Sequence, residues 1–171
     1  MQVNPAPAGV KRRARFSLGV NLRKSLVCPP MDTVFLPHND LEKQLAAVHA
    51  GELPAENFVA RLLDEQVFMP VRDEKDAIKG FQRSAHAQPL VVEDAGGNRV
   101  LVLFSSPERA KPFLEGFPDF RGGLLTEFSW VLRRIGGGFP IALNPGWEMG
   151  MDFDADTVAQ LRAGLPQERE A

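Results

Sequence analysis

Three aspartates alternate late in the chain, Asp152, Asp154 and Asp156, in the spacing that opens a calcium loop. That loop also needs Gly at its sixth position and Glu at its twelfth. Thr157 and Ala163 stand there instead. The competing reading makes Asp154 a helix cap, with acids favoured near the positive end of the helix dipole. Gly136-Gly137-Gly138 has the composition of a phosphate cradle. Such cradles precede a helix, where backbone N–H groups point at the anion. These glycines follow a helical pattern and precede a strand pattern, so they read as a helix stop. The sequence contains neither Gly-Lys-Ser/Thr nor Gly-x-Gly-x-x-Gly.

Ser105 and Ser106 follow an apolar run, where a hydrolase nucleophile would sit, but the glycines of a nucleophile elbow are absent. Ser106 is better explained as a helix cap. His38, His49 and His86 lack metal-ligand spacing. Cys28 is the single cysteine, which excludes an internal disulfide and a cysteine-built zinc site. With Lys24 four residues away, its thiol would be mildly reactive at most. The sequence therefore assigns no catalytic residue, no metal site and no cofactor.

Two tryptophans suggest binding rather than chemistry. On a helix carrying Phe128, Val131, Leu132 and Ile135, Trp130 sits about 200° from Phe128, off the apolar stripe. Arg133 and Arg134 lie toward the same side. Trp130 either packs under a neighbouring segment or anchors a partner or a second copy, because Trp and Arg are typical anchors. Trp147 follows the turn Asn144-Pro145-Gly146 and poses the same choice. The candidate interaction surface is thus Trp130, Arg133, Arg134, Asn144, Pro145, Gly146 and Trp147.

These residues need elements to hold them. Asn39 with Glu42 forms a capping box, followed by Leu41, Leu45 and Val48 on one helical face and Gly51 as the stop. A second helix opens near Pro54 and carries Phe58, Val59, Leu62 and Leu63. The period then changes, and 67–71 reads as a strand with Pro70 at an edge or end. Residues 72–88 read as a long surface loop. The runs 89–93 and 99–105 flank a turn-rich segment and form a hairpin. The second run is apolar throughout from Val100 to Phe104, so it should be covered on both faces. Ser106-Pro107-Glu108 starts a helix buried through Ala110, Phe113, Leu114 and Phe117. The Trp130 helix follows, then strands at 139–143 and 151–153, then a helix capped by Asp154 with Val158 and Leu161 inward. This order predicts an α+β fold, a mixed and mostly antiparallel sheet of about 4–5 strands with helices packed on it. The apolar strand and the 139–143 strand should pair in parallel through a crossover.

The 171 residues carry 20 Lys+Arg and 22 Asp+Glu. The formal charge of −2 averages two unlike parts. Residues 1–30 hold Lys11, Arg12, Arg13, Arg15, Arg23 and Lys24 with no acid, a charge of +6, leaving −8 for residues 31–171. Residues 1–36 read as a basic, disordered leader, with Met31 a candidate start that would make 1–30 an upstream extension. Arg12-Arg13 invites a secretory reading, but Asn21, Arg23 and Lys24 interrupt the apolar stretch that a signal requires. A transit peptide and a basic arm remain open readings of the leader. Residues 37–165 form one domain, and 166–171 fray. The acidic body makes nucleic acid an unfavourable partner. Apolar runs are too short to span a bilayer, and cysteine usage points to a cytoplasmic, reducing compartment.

Four features in order carry a family resemblance. They are Asn39-Asp40-Leu41-Glu42, then Phe58 to Leu63 with Val67-Phe68-Met69-Pro70, then Leu103-Phe104-Ser105-Ser106-Pro107-Glu108, then Ile141-Ala142-Leu143-Asn144-Pro145-Gly146 with 154–161. Together they resemble the SseB protein N-terminal domain, the enhanced-serine-sensitivity family of bacterial proteins, over about residues 37–165. The resemblance implies the first of the two domains of longer members, and no catalytic residues. The absence of a catalytic constellation, together with Trp130, Trp147 and the Asn144-Pro145-Gly146 turn, leads to a non-enzymatic protein-interaction or regulatory domain with an unidentified protein partner and a homo-oligomer as a further option. Two alternatives stay open: a small-ligand, amino-acid-like sensor or enzyme, and a secretion-system-associated accessory protein.

Overall fold

The computed structural model describes residues 20–21, 35–72, 88–134 and 138–166. Cys28, Met31, His86, Gly136, Gly137, most of the 72–88 loop and most of the expected leader and tail lie outside the described residues. The elements are β1 (Val20–Asn21), α1 (Asp40–His49), α2 (Ala55–Leu62), β2 (Gln66–Val71), β3 (Val91–Glu93), β4 (Arg99–Leu103), α3 (Pro107–Leu114), β5 (Gly122–Glu127), α4 (Phe128–Arg134), β6 (Ile141–Leu143), β7 (Met151–Phe153) and α5 (Ala155–Ala163). The fold is α+β, as the element order requires.

Local chemistry sets most boundaries. Asn39, Ser106 and Asp154 each accept a bond from the backbone N–H three residues on, satisfying a donor that a helix start leaves open. Gly51 ends α1 at φ 78°, a conformation without steric cost only for glycine. Asp94 Oδ1 accepts from the N–H groups of Gly96 and Asn98 and closes the β3–β4 hairpin.

The larger sheet has the order β1-β7-β6-β4-β3. β4 and β6 are parallel, with Leu101, Val102 and Leu103 opposite Ile141, Ala142 and Leu143. The other pairings in it are antiparallel. Residue alternation gives the sheet two apolar faces. Leu101, Leu103, Ile141, Leu143, Met151 and Phe153 meet the inward stripes of α1, α2 and α4 and Val158 of α5. Val100, Val102, Phe104 and Ala142 meet Ala110 and Phe113 of α3, with Leu90 and Phe68 closing the edge. Each fully buried Leu or Phe contributes about 1.5–3 kcal/mol.

A second, two-stranded sheet pairs β2 with β5 in antiparallel register. No strand is expected at 122–127 from periodicity, because Gly122 and Gly123 dilute its β signal. The strand exists because β2 offers it a backbone template and a side chain that covers glycine. A β-carbon built on Gly123 would lie 2.1 Å from Cζ of Phe68. The Phe68 ring therefore occupies the space that a side chain at 123 would take.

Gly123→Ala should displace that ring and destabilise the protein by about 1–3 kcal/mol in urea unfolding. Combined with Phe68→Leu, the same substitution should cost measurably less, because the clash is with the ring itself.

Candidate functional site

Parallel pairing of β4 and β6 brings their carboxyl ends side by side. β4 runs through Phe104 into Ser105 and the first turn of α3; β6 runs into the turn Asn144–Trp147. Asn144 adopts φ 52°, a left-handed conformation that Asn tolerates better than most residues. Its N–H bonds the Leu103 carbonyl at 2.9 Å, and its Oδ1 accepts from the Ser105 N–H at 2.8 Å. The start of α1 closes over this junction, and Asn39 Nδ2 donates to the Ser105 carbonyl at 3.1 Å.

At the centre lies an ion pair. Arg109 Nε donates to Glu42 Oε1 at 3.0 Å and its Nη2 to Oε2 at 2.9 Å, a bidentate fork. Glu42 is fully buried and Arg109 is 5% exposed. The Ser105 hydroxyl donates to Glu42 Oε1 at 2.7 Å and accepts from Asn144 Nδ2 at 3.0 Å. The His38 N–H donates to Glu42 Oε2 at 2.8 Å. The capping box thus reaches one residue further back than expected, to His38 rather than to Asn39. Arg109 also donates to the Leu36 carbonyl. Its guanidinium carbon lies 4.0 Å from the Phe35 ring centre and 4.7 Å from that of Trp147, and the two rings meet edge to face. Trp147 Nε1 donates to the Arg109 carbonyl at 2.9 Å.

Burial pushes the Glu42 carboxyl up, but the Arg109, Ser105 and His38 hydrogen bonds and the Arg109 charge outweigh it, leaving it below its ordinary 4.5. A second buried carboxyl shows the opposite balance. Asp152, paired with Ala142 across β6 and β7, has a buried Oδ1 with no hydrogen-bond partner among the described residues. Desolvation raises it to about 6.

The expected interaction residues fall in two places. Asn144, Pro145, Gly146 and Trp147 are buried in the junction. Trp130 is half-buried against the core, Arg133 is half-buried and engaged, and Arg134 is exposed with its guanidinium carbon 5.9 Å from the Trp130 ring centre. Ser105 is a member of the network and Ser106 caps α3. A ring nitrogen of His49 lies 2.9 Å from the Gly150 carbonyl. Among the described residues no cluster of His, Cys, Asp and Glu could hold a metal ion. Arg109 and Phe35 escape sequence reasoning. A signal exists for Arg109: it stands one position before Ala110 and four before Phe113, so it falls on an inward stripe, and an inward charge demands a partner.

Arg109→Met should cost about 3–5 kcal/mol in chemical denaturation, because it leaves the Glu42 charge buried and unpaired. Adding Glu42→Met should cost less than the sum of the two single changes. The folded state binds fewer protons at Glu42 than the unfolded state, so its contribution is complete above pH 4.5 and is lost as pH falls through the depressed folded value. Asp152 has the reverse sign: its neutral form favours the fold below pH 3.8, and that advantage disappears as pH rises through about 6. Asp152→Asn should therefore raise stability by about 1–2 kcal/mol near neutral pH and change little at strongly acidic pH, as thermal melts across pH would show.

No curated protein and no solved structure matches the chain. The family model of the SseB protein N-terminal domain matches residues 41–160, which run from α1 to α5 and include Glu42, Ser105, Arg109, Asn144 and Trp147. With well over half of its length matched, the chain belongs to the SseB protein N-terminal domain family.

Proposed function

We propose that this domain is a non-enzymatic protein-interaction or regulatory module. The observation that carries the reading is the mutual saturation of the polar groups at the carboxyl ends of β4 and β6. In open sheets with parallel strands, ligands bind at such ends. Glu42, Ser105, Arg109 and Asn144 do converge there, as a small-ligand sensor would require. Yet the Glu42 carboxylate already accepts two bonds from Arg109, one from Ser105 and one from His38. A nucleophile needs an adjacent base with basicity to spare. The base beside Ser105 is a carboxylate held below its ordinary pKa by four donors, so it has little. The cluster acts as a structural joint, and function falls to the surface.

The surface that best fits a protein partner is on α4. Trp130 and the exposed Arg134 pair an aromatic ring with a guanidinium, and Arg133 lies beside them. Trp and Arg supply the largest share of binding energy in protein interfaces. The 144–147 turn then serves this module from inside, by fixing Arg109. Among the described residues no helix is long and apolar enough to cross a membrane.

Cross-linking capture from a lysate of the source cell tests this. Trp130→Ala and Arg134→Ala should each reduce recovery of the partner about tenfold, with unchanged melting temperature for the Arg134 variant. Recovery of identical partners by both variants counts against α4. A thermal-shift screen with amino acids and nucleotides should be flat. A ligand that raises the melting temperature by several degrees replaces this reading with the sensor alternative.

A further inference from the structure

The second edge of β5 has no strand against it among the described residues. Which backbone groups it offers follows from the ladder. Phe68 directs both its N–H and its C=O to Phe104, at 2.8 Å or less. The Pro70 carbonyl accepts from the Leu90 N–H, and Pro70 has no N–H of its own. The β2 residues that bond β5 are therefore Val67, Met69 and Val71, opposite Thr126, Leu124 and Gly122. The backbone groups of Gly123, Leu125 and Glu127 consequently point to the open edge. Natural edges are blunted by Pro, Lys, bulges or shortness. β5 is six residues long, contains none of these residues, and exposes Leu125 at 58% in its middle.

We infer that β5 pairs antiparallel with β5 of a second copy of this chain, in the two-fold register that sets Leu124 opposite itself. Charge selects that register. It places the exposed Arg121 of each copy opposite the exposed Glu127 of the other. Shifting the two-fold to Gly123 would set Arg121 against Leu125 and Glu127 against the turn at Asp119, which already pairs with Arg72, so both inter-copy ion pairs would be lost. Shifting it to Leu125 would set Arg121 against Ser129, which is already in α4. In the favoured register Gly123 and Leu125 exchange hydrogen bonds, matching the outward groups just derived. Leu125 then lies over a position with no side chain, beside the Phe68 ring. The product is a four-stranded β2-β5-β5-β2 sheet with an isologous interface. This inference does not depend on the partner-binding role of α4.

Sedimentation velocity and light scattering on the full chain test it. The wild type should form a concentration-dependent dimer. Arg121→Glu and Glu127→Arg should each weaken it at least about tenfold, since each change creates two like-charge contacts. The double reversal should return to within about threefold of wild type. Leu125→Lys should give a monomer. All three positions are exposed, so circular dichroism should show an unchanged fold. A monomer at every concentration up to about 1 mM overturns the proposal. So does a dimer indifferent to the reversals, or a double reversal as weak as the single ones. Dimer loss in Trp130→Ala alone would move self-association to α4 and also overturn it.

Discussion

The interaction on which this fold depends is the buried Arg109–Glu42 pair. Taking two charges out of water costs several kcal/mol for each, and their attraction repays it only when the remaining donors and acceptors are also satisfied. That demand reaches into four segments at once. α1 must begin where the His38 N–H meets Oε2. β4 must end where the Ser105 hydroxyl meets Oε1. α3 must start at Ser106 so that its first turn carries Arg109 inward. The β6 turn must bring Trp147 onto the guanidinium and Asn144 onto Ser105. Asn144 holds a left-handed backbone in the interior because its side chain is bonded there twice over. Such over-determination is what keeps an unfavourable conformation in place.

Asp152 shows the same physics without compensation. Both carboxyls sit on or beside the larger sheet and both lose water. Glu42 gains donors on each oxygen, which hold its carboxyl below its ordinary value. Asp152 has a buried oxygen with no partner among the described residues, and its neutral form is favoured up to about pH 6. One group tightens the fold near neutral pH, and the other loosens it. Away from these carboxyls, stability rests on apolar packing on the two sheet faces. The β2–β5 sheet is tied to the rest through the bridges Phe68–Phe104 and Val71–Pro89 and through Val67 and Met69, which are buried in the core.

Much of the architecture was legible because it is local. A cap needs only a side chain three residues from an N–H, so Asn39, Ser106 and Asp154 could be read from spacing. Helical stripes such as Leu41-Leu45-Val48 repeat over one or two turns. The continuous apolar run of β4 announced a strand buried on both faces, and the two helical patterns after it announced a parallel crossover to β6. β5 was not legible, because its glycines remove the β-branched signal and its partner strand ends 50 residues earlier. Trp147 looked like a turn residue with surface potential. It is 5% exposed, because Phe35 and Arg109 enclose it from segments far away in sequence.

The sequence by itself determined the fold class, the capped helix starts, the hairpin, the parallel pair and the family. Each rests on periodicity or on contacts within a few residues. Helix ends were less legible: α3 ends at Leu114, short of the Phe117 assigned to it. Only the tertiary structure decided that Glu42 and Arg109, 67 residues apart, neutralise one another. It also decided that the Ser105 hydroxyl lies between Glu42 and Asn144, and that β5 has an open edge among the described residues. Charge pairing, burial and strand partnership are properties of segments brought together from distant parts of the chain. A linear pattern records which residues can take part, and the packing of the sheet decides which of them meet.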